Sequence, residues 1–159
     1  MSKISVLKCP TADNRTYDGV ITQEILREST INHIDDVSNG MTWFTDRCAV
    51  AADRHDHTKL DREGLTQFTE DFNNLKGGAE FTNGKWYQRH ISEERHHLTE
   101  RVPEDVDLVD VLEHIVDSVV AAMARKGEMT YGVNIPSEVL QLAVANTVKK
   151  MLKDVVVDE

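Results

Sequence analysis

Residues Asp107 to Arg125 read DLVDVLEHIVDSVVAAMAR, and the spacing within them decides the fold class. Leu112, Val116, Val119 and Met123 recur at intervals of three and four, which predicts an amphipathic helix with those four side chains on its buried face. Asp110, Glu113, His114 and Asp117 fall at i, i+3, i+4 and i+7 on roughly the opposite face. That ridge has no Lys or Arg of its own to pair with its three carboxylates. It is therefore either a solvated surface or one side of a binding site.

The same period extends outward. Ile31, Ile34, Val37, Met41, Phe44, Cys48 and Ala51 alternate three and four steps upstream, and Leu65, Phe68 and Phe72 form a stripe behind Asp61 or Thr66 as N-cap. Downstream, Lys126-Gly127 ends a helix and Tyr131-Gly132 turns the chain. Pro136 and Ser137 open a last helix to about Lys153, with Leu140, Val144, Thr147 and Met151 buried. Gly77-Gly78 and Asn83-Gly84 mark a loop, and Pro103 another connection. Strand-type alternation is nearly absent, so the expected fold is all-α, a single-domain multi-helix bundle over residues 19–153. Residues 1–18, with the apolar piece Ile4 to Leu7 and the turn formers Pro10, Asp13 and Asn14, form an N-terminal arm, and 154–159 a tail.

Composition narrows the classes. A chain of 159 residues buries one core. Its formal net charge of -10 argues against general nucleic-acid binding, which needs clustered Lys and Arg. No apolar run reaches membrane-spanning length and MSKISVLKCP lacks the apolar core of a signal peptide, so a cytoplasmic protein without a membrane partner is expected. Cys9 and Cys48 have no CxxC spacing and are expected to be reduced.

The chemistry concentrates between Trp86 and Leu98, WYQRHISEERHHL. On a helix, His90, Glu94 and His97 stand at i, i+4 and i+7 and share a face, a spacing that suits divalent metal ions. Further ligand types are His33, the adjacent His55-Asp56, and Asp117 with Glu113 beside it. His33 and His55 lie 22 residues apart, or about 33 Å along a straight helix. They converge only if the chain reverses between them, and Ser38-Asn39-Gly40 is the expected place. Without that break His33 leaves the site.

The ordered set His33, His55-Asp56, His90, His96-His97 and Asp117 resembles the HD superfamily of metal-dependent phosphohydrolases, whose fold is all-helical. The pieces HDHTKL, ERHHLTE, DLVDVLEHIVDSVVAA and QLAVANT are more closely similar, from about His33 to Leu152, to an uncharacterised family common in phages and bacteria. Its members read HD-x-SK, N-x-HHPE, D-L-x-E-M-x-x-D-W-x-A-A and Q-L-x-x-x-x-NT. This chain departs at Thr58, where the family has Ser, at Leu98 for Pro and at Ser118 for Trp; no departure removes a ligand type.

The resemblance implies one or two divalent ions (Mn, Fe, Zn, Co or Mg) on His33, His55, Asp56 and Asp117, with His90 and His97 on a second ion or on phosphate. His96 and His114 are candidates for an ion or for supporting its ligands. The reaction expected is hydrolysis of a small phosphorylated substrate, a nucleotide or deoxynucleotide, by a metal-activated water. Lys59 is placed to reach phosphate, Glu94 and Glu113 to act as base or to orient an imidazole, and Trp86 and Tyr87 to stack on a base. The alternative is a non-catalytic, metal-stabilised helical protein that binds a host or partner protein. Self-association stays open, and the location is the host cytoplasm if the chain is phage-encoded.

Overall fold

Helix α1, Gln23–Arg54, runs unbroken for 32 residues in the computed structural model, which describes residues 3–12, 17–76 and 78–159. Asp13, Asn14 and Gly77 lie outside the described residues. The reversal expected at Ser38-Asn39-Gly40 does not occur, for a local reason. The Asn39 amide donates to the Ser5 carbonyl at 3.0 Å instead of capping a helix end. The Thr42 hydroxyl bonds back to the Ser38 carbonyl across the same turn at 3.0 Å.

The remaining helices are α2 (His57–Leu60), α3 (Arg62–Leu75), α4 (Gly78–Thr82), α5 (Lys85–Glu93), α6 (Leu108–Lys126) and α7 (Ser137–Asp154). Strands β1 (Ile4–Leu7) and β2 (Val155–Asp158) pair in parallel, Ile4 opposite Val155. The architecture is all-α apart from this pair. Among the described residues no helix is long and apolar enough to cross a membrane.

The chain divides into two compact units, Met1–Ala49 with Val148–Glu159, and Val50–Thr147. In the first, the terminal strands are fixed by side chains. Leu7 N–H donates to Asp36 at 3.0 Å and the Trp43 indole to Asp154 at 3.0 Å, while Lys3 pairs with Asp154 at 2.7 Å. Trp43 is wholly buried, with Arg47 over its ring. Ile4–Leu7 of the expected arm and Val155–Asp158 of the expected tail are thus the two strands of one small sheet.

In the second unit, Leu98, Val106, Val111, Val139 and Ala143 form the core, with Leu108 and Ile135 against it. Here the sequence expectation is corrected, because α6 buries Val109, Asp110, Val111 and Ala122. Leu112, Val116, Val119 and Met123 are 36 to 58% exposed. The rotation follows from the polar groups. Asp107 caps α6 by accepting from Val109 and Asp110 N–H, and Asp110 returns a bond to Asp107 N–H at 2.8 Å. Arg95 then grips Asp110 with a two-pronged pair at 2.7 and 2.8 Å. Asp110 thereby leaves the supposed solvated ridge, and the absent counter-charge comes from the loop before the helix.

Helix α7 turns in the same sense, burying Val139, Ala143, Asn146 and Thr147 while Leu140 and Val144 stay exposed. Asn146 donates to the carbonyls of Glu104 and Val106, and Thr147 accepts from Leu108 N–H. This satisfies backbone groups of the connection that enters α6. Helix ends follow the sequence closely: Asp61 caps α3 through Gly64 N–H, Gly127 ends α6 at φ 71, and α7 opens at Ser137.

Candidate metal centre

Four imidazoles, with the carboxylates of Asp56, Glu94, Glu113 and Asp117, gather in the second unit where the chain leaves α1 and α5 beside the middle of α6. Asp56 sits between α1 and α2 with φ 57 and ψ 23, a left-handed conformation rare for a residue other than glycine. Its Oδ1 is buried and accepts no hydrogen bond. That oxygen faces His90 Nε2 at 3.5 Å and His96 Nε2 at 3.9 Å. The other oxygen, Oδ2, lies 3.5 Å from His55 Nε2 and pairs with Lys59. Asp117 Oδ1 reaches within 3.7 Å of the same His55 nitrogen.

Three overlapping groups meet the spacing of a shared ion: His90 with His96 and His97, His55 with Asp56 and His96, and Asp56 with His90 and Glu94. His90 and His97 oppose each other, Nε2 to Nε2, at 2.8 Å.

Helix α5 stops at Glu93, so the expected single helical face for His90, Glu94 and His97 is not formed. Glu94 leaves the helix at ψ 119 because its Oε1 accepts from Thr58 N–H at 2.9 Å and from the Thr58 hydroxyl at 2.7 Å. The following turn swings His96 and His97 together toward Asp56. His96, which a continuous helix would point away, is 2% exposed and inside the cluster.

The outer nitrogens are held as well. His55 Nδ1 bonds Glu113 Oε1 at 2.9 Å, and His96 Nδ1 lies 3.0 Å from the same oxygen without hydrogen-bond alignment. A carboxylate behind an imidazole fixes its tautomer and raises its basicity toward an ion. Glu113 stands behind His55 in this way, and Glu94 reaches His90 through the Thr58 hydroxyl. His114 donates through Nδ1 to the His96 carbonyl at 2.7 Å and so supports the turn. His57 lies nearer solvent, between the Arg54 carbonyl at 3.1 Å and Glu94 at 3.0 Å.

His33 belongs to the other unit, in the part of α1 before Ala49. The reversal on which its place in the site depended is absent, and it takes no part in these groups. Trp86 is also corrected. It is buried, stacked on Phe68 at 4.1 Å and on His90 at 4.8 Å, so it walls the histidine rather than meeting a substrate. Tyr87 beside it is half-buried, and burial together with the Glu100 carboxylate pushes its phenol up. Thr58, in sequence only a departure from Ser, is the hub of the hydrogen bonds around His90.

The shifts of His90, His97 and Asp56 suit cation binding, and that of His96 runs the other way. Burial, with His97 and Lys59 nearby, lowers His90 to about 4. Burial and His96 likewise lower His97. Burial opposes ionisation of Asp56, but the hydrogen bond and charge of Lys59 with the charges of His55 and His90 outweigh it and hold the carboxyl low. Glu113 is held low despite burial by His96 and His55, and His96 is raised despite burial by Glu113, Asp56 and Asp117.

In comparison with known proteins, no family model, no curated protein and no solved structure matches this chain.

A pH dependence follows for the chelated protein. With His90 near 4 when folded and about 6.5 when unfolded, the unfolded chain binds the extra proton between these values. The stability this contributes is present above pH 6.5 and lost as pH falls through about 4. His96, shifted upward, contributes in the opposite direction: its stabilisation is full below pH 6.5 and fades as pH rises through its raised value. Comparing wild type with His90→Gln isolates the first. The difference in thermal midpoint is expected to shrink steadily from pH 7 to pH 4; a constant difference contradicts the assignment.

Proposed function

We propose that the unit Val50–Thr147 is a metal-dependent phosphohydrolase of HD type, acting on a small phosphorylated molecule of the nucleotide or deoxynucleotide class. The observation that carries the reading is Asp56 Oδ1, a buried carboxylate oxygen with no hydrogen bond, faced by imidazole nitrogens. A buried charged acceptor is unfavourable unless it is paired or coordinates a metal. The donor set of imidazole and carboxylate fits Zn, Mn, Fe or Co.

His55, Asp56, His90, His96, His97 and Asp117 are the residues that would hold one or two ions. Such an ion supplies a bound water of lowered pKa and polarises a phosphoryl oxygen. Lys59, over a third exposed beside Asp56, offers its ammonium to the substrate's phosphate. Glu113 and Glu94 keep the imidazoles in place, and Trp86 closes the inner wall against water.

The exposed apolar residues Leu112, Val116 and Met123 on α6 favour a second reading, a metal-stabilised helical protein that binds another protein. Elemental analysis and a phosphate-release screen over nucleotides with added Mn²⁺, Co²⁺ or Zn²⁺ separate the two. Stoichiometric metal with release abolished in Asp56→Ala is the result expected. Bound metal with no release from any nucleotide favours the second reading, and absence of metal under every condition overturns both.

A further inference from the structure

We infer that Thr58 is a positioning residue that fixes the tautomer of His90, through a Glu94–Thr58–His90 hydrogen-bond chain, so that Nε2 is the lone pair presented to a divalent ion. The inference rests on the metal site proposed above. Thr58 is 1% exposed, and His90 and Glu94 are both buried, so no bulk water competes for these bonds. The Thr58 hydroxyl donates to Glu94 Oε1 at 2.7 Å. A hydroxyl has one hydrogen, so toward His90 Nδ1, also at 2.7 Å, its oxygen only accepts.

His90 Nδ1 must then carry the ring's hydrogen. A neutral imidazole has one N–H, which leaves Nε2 unprotonated and facing Asp56 Oδ1 at 3.5 Å and His97 Nε2 at 2.8 Å. The direction of the chain is set at its far end, where Glu94 Oε1 also accepts from Thr58 N–H, a group that can only donate. Trp86 stacks on the ring at 15° between planes and holds it in the orientation the chain requires.

Without the hydroxyl, the hydrogen is free to move to Nε2, where the Asp56 carboxylate and His97 stand ready to accept it. The ion's place on Nε2 is then closed by a proton. Serine at this position preserves the chain; valine keeps the size and removes it.

The test uses the full chain as wild type, Thr58→Val and Thr58→Ser. Side-chain ¹⁵N–¹H NMR of chelator-treated protein reads the tautomer directly, with His90 assigned by its loss in His90→Gln. Chelator competition with Zn²⁺ and Mn²⁺ reads affinity. The expected result is Nδ1–H on His90 in wild type and Thr58→Ser, Nε2–H in Thr58→Val, and affinity lower by about 10- to 100-fold in Thr58→Val alone. A purely structural role for Thr58 leaves the tautomer where it was. Wild-type tautomer or wild-type affinity in a folded Thr58→Val overturns the relay while leaving the metal reading intact. A wild-type chain that takes up neither ion overturns the metal reading and with it the purpose assigned to Thr58.

Discussion

Asp56→Asn is expected to lose its divalent ion altogether while the metal-free protein keeps its stability to within about 1 kcal/mol of wild type. Asparagine retains the shape of the side chain and is among the few residues that tolerate the left-handed backbone found here, φ 57. What it loses is the charge. The pair with Lys59, partly exposed on both sides, contributes little once screened by solvent. Its loss is offset because Oδ1, buried and without a hydrogen bond, no longer has to hold a charge away from water. In wild type, a saturating ion at a thousand times its dissociation constant adds about 4 kcal/mol, and the thermal midpoint rises by roughly 10 °C. In Asp56→Asn no rise is expected. Equal ion-dependent shifts in the two proteins exclude Asp56 as a ligand.

Gly64→Ala is expected to be the most disruptive single-methyl change near the site. A Cβ there would lie 1.8 Å from the Thr58 carbonyl oxygen and 3.0 Å from Asp61 Oδ1. The first of these is backbone and cannot rotate aside. Gly64 N–H is also the donor that Asp61 uses to cap α3, at 2.6 Å. Relief requires α2 and α3 to separate, which carries Thr58 away from Glu94 and His90. A loss of about 3 kcal/mol or more is expected, with weakened metal uptake in whatever fraction folds. Chemical denaturation measures the first and chelator competition the second. An alanine variant within about 0.5 kcal/mol of wild type shows the approach of α3 to α2 to be looser than described.

The sequence was most informative where a signal is local. Asp61 before α3, Gly127 after α6 and Ser137 after Pro136 each act within one helical turn, and each stands where it was expected. The adjacency of His55 and Asp56 and the spacing of Glu113 and Asp117 also survive, because two residues on one turn stay together whatever the tertiary fold does. The end of α5 was not legible. It is set by Glu94 reaching Thr58, 36 residues away, and no periodicity within WYQRHISEERHHL records that. His96 entered the site for the same reason. On α6 the apolar period located the helix but not its covered face, which was decided by Arg95 holding Asp110, a bond between a loop and a helix. His33 fell outside because Asn39, a helix breaker by preference, spends its amide on β1.

The left-handed turn at Asp56 has a consequence for how this site can change over generations. Metal preference changes when one ligand type replaces another, as when Glu takes the place of Asp. At φ 57 a glutamate meets a backbone penalty of about 1 kcal/mol or more before any coordination is tried. Asp117 lies within regular helix α6 and is partly open to solvent, so replacement there meets no such barrier. Of the carboxylates around His55, Asp56 is thus restricted by its turn to few replacements, whereas Asp117 on its helix is under no such backbone restriction.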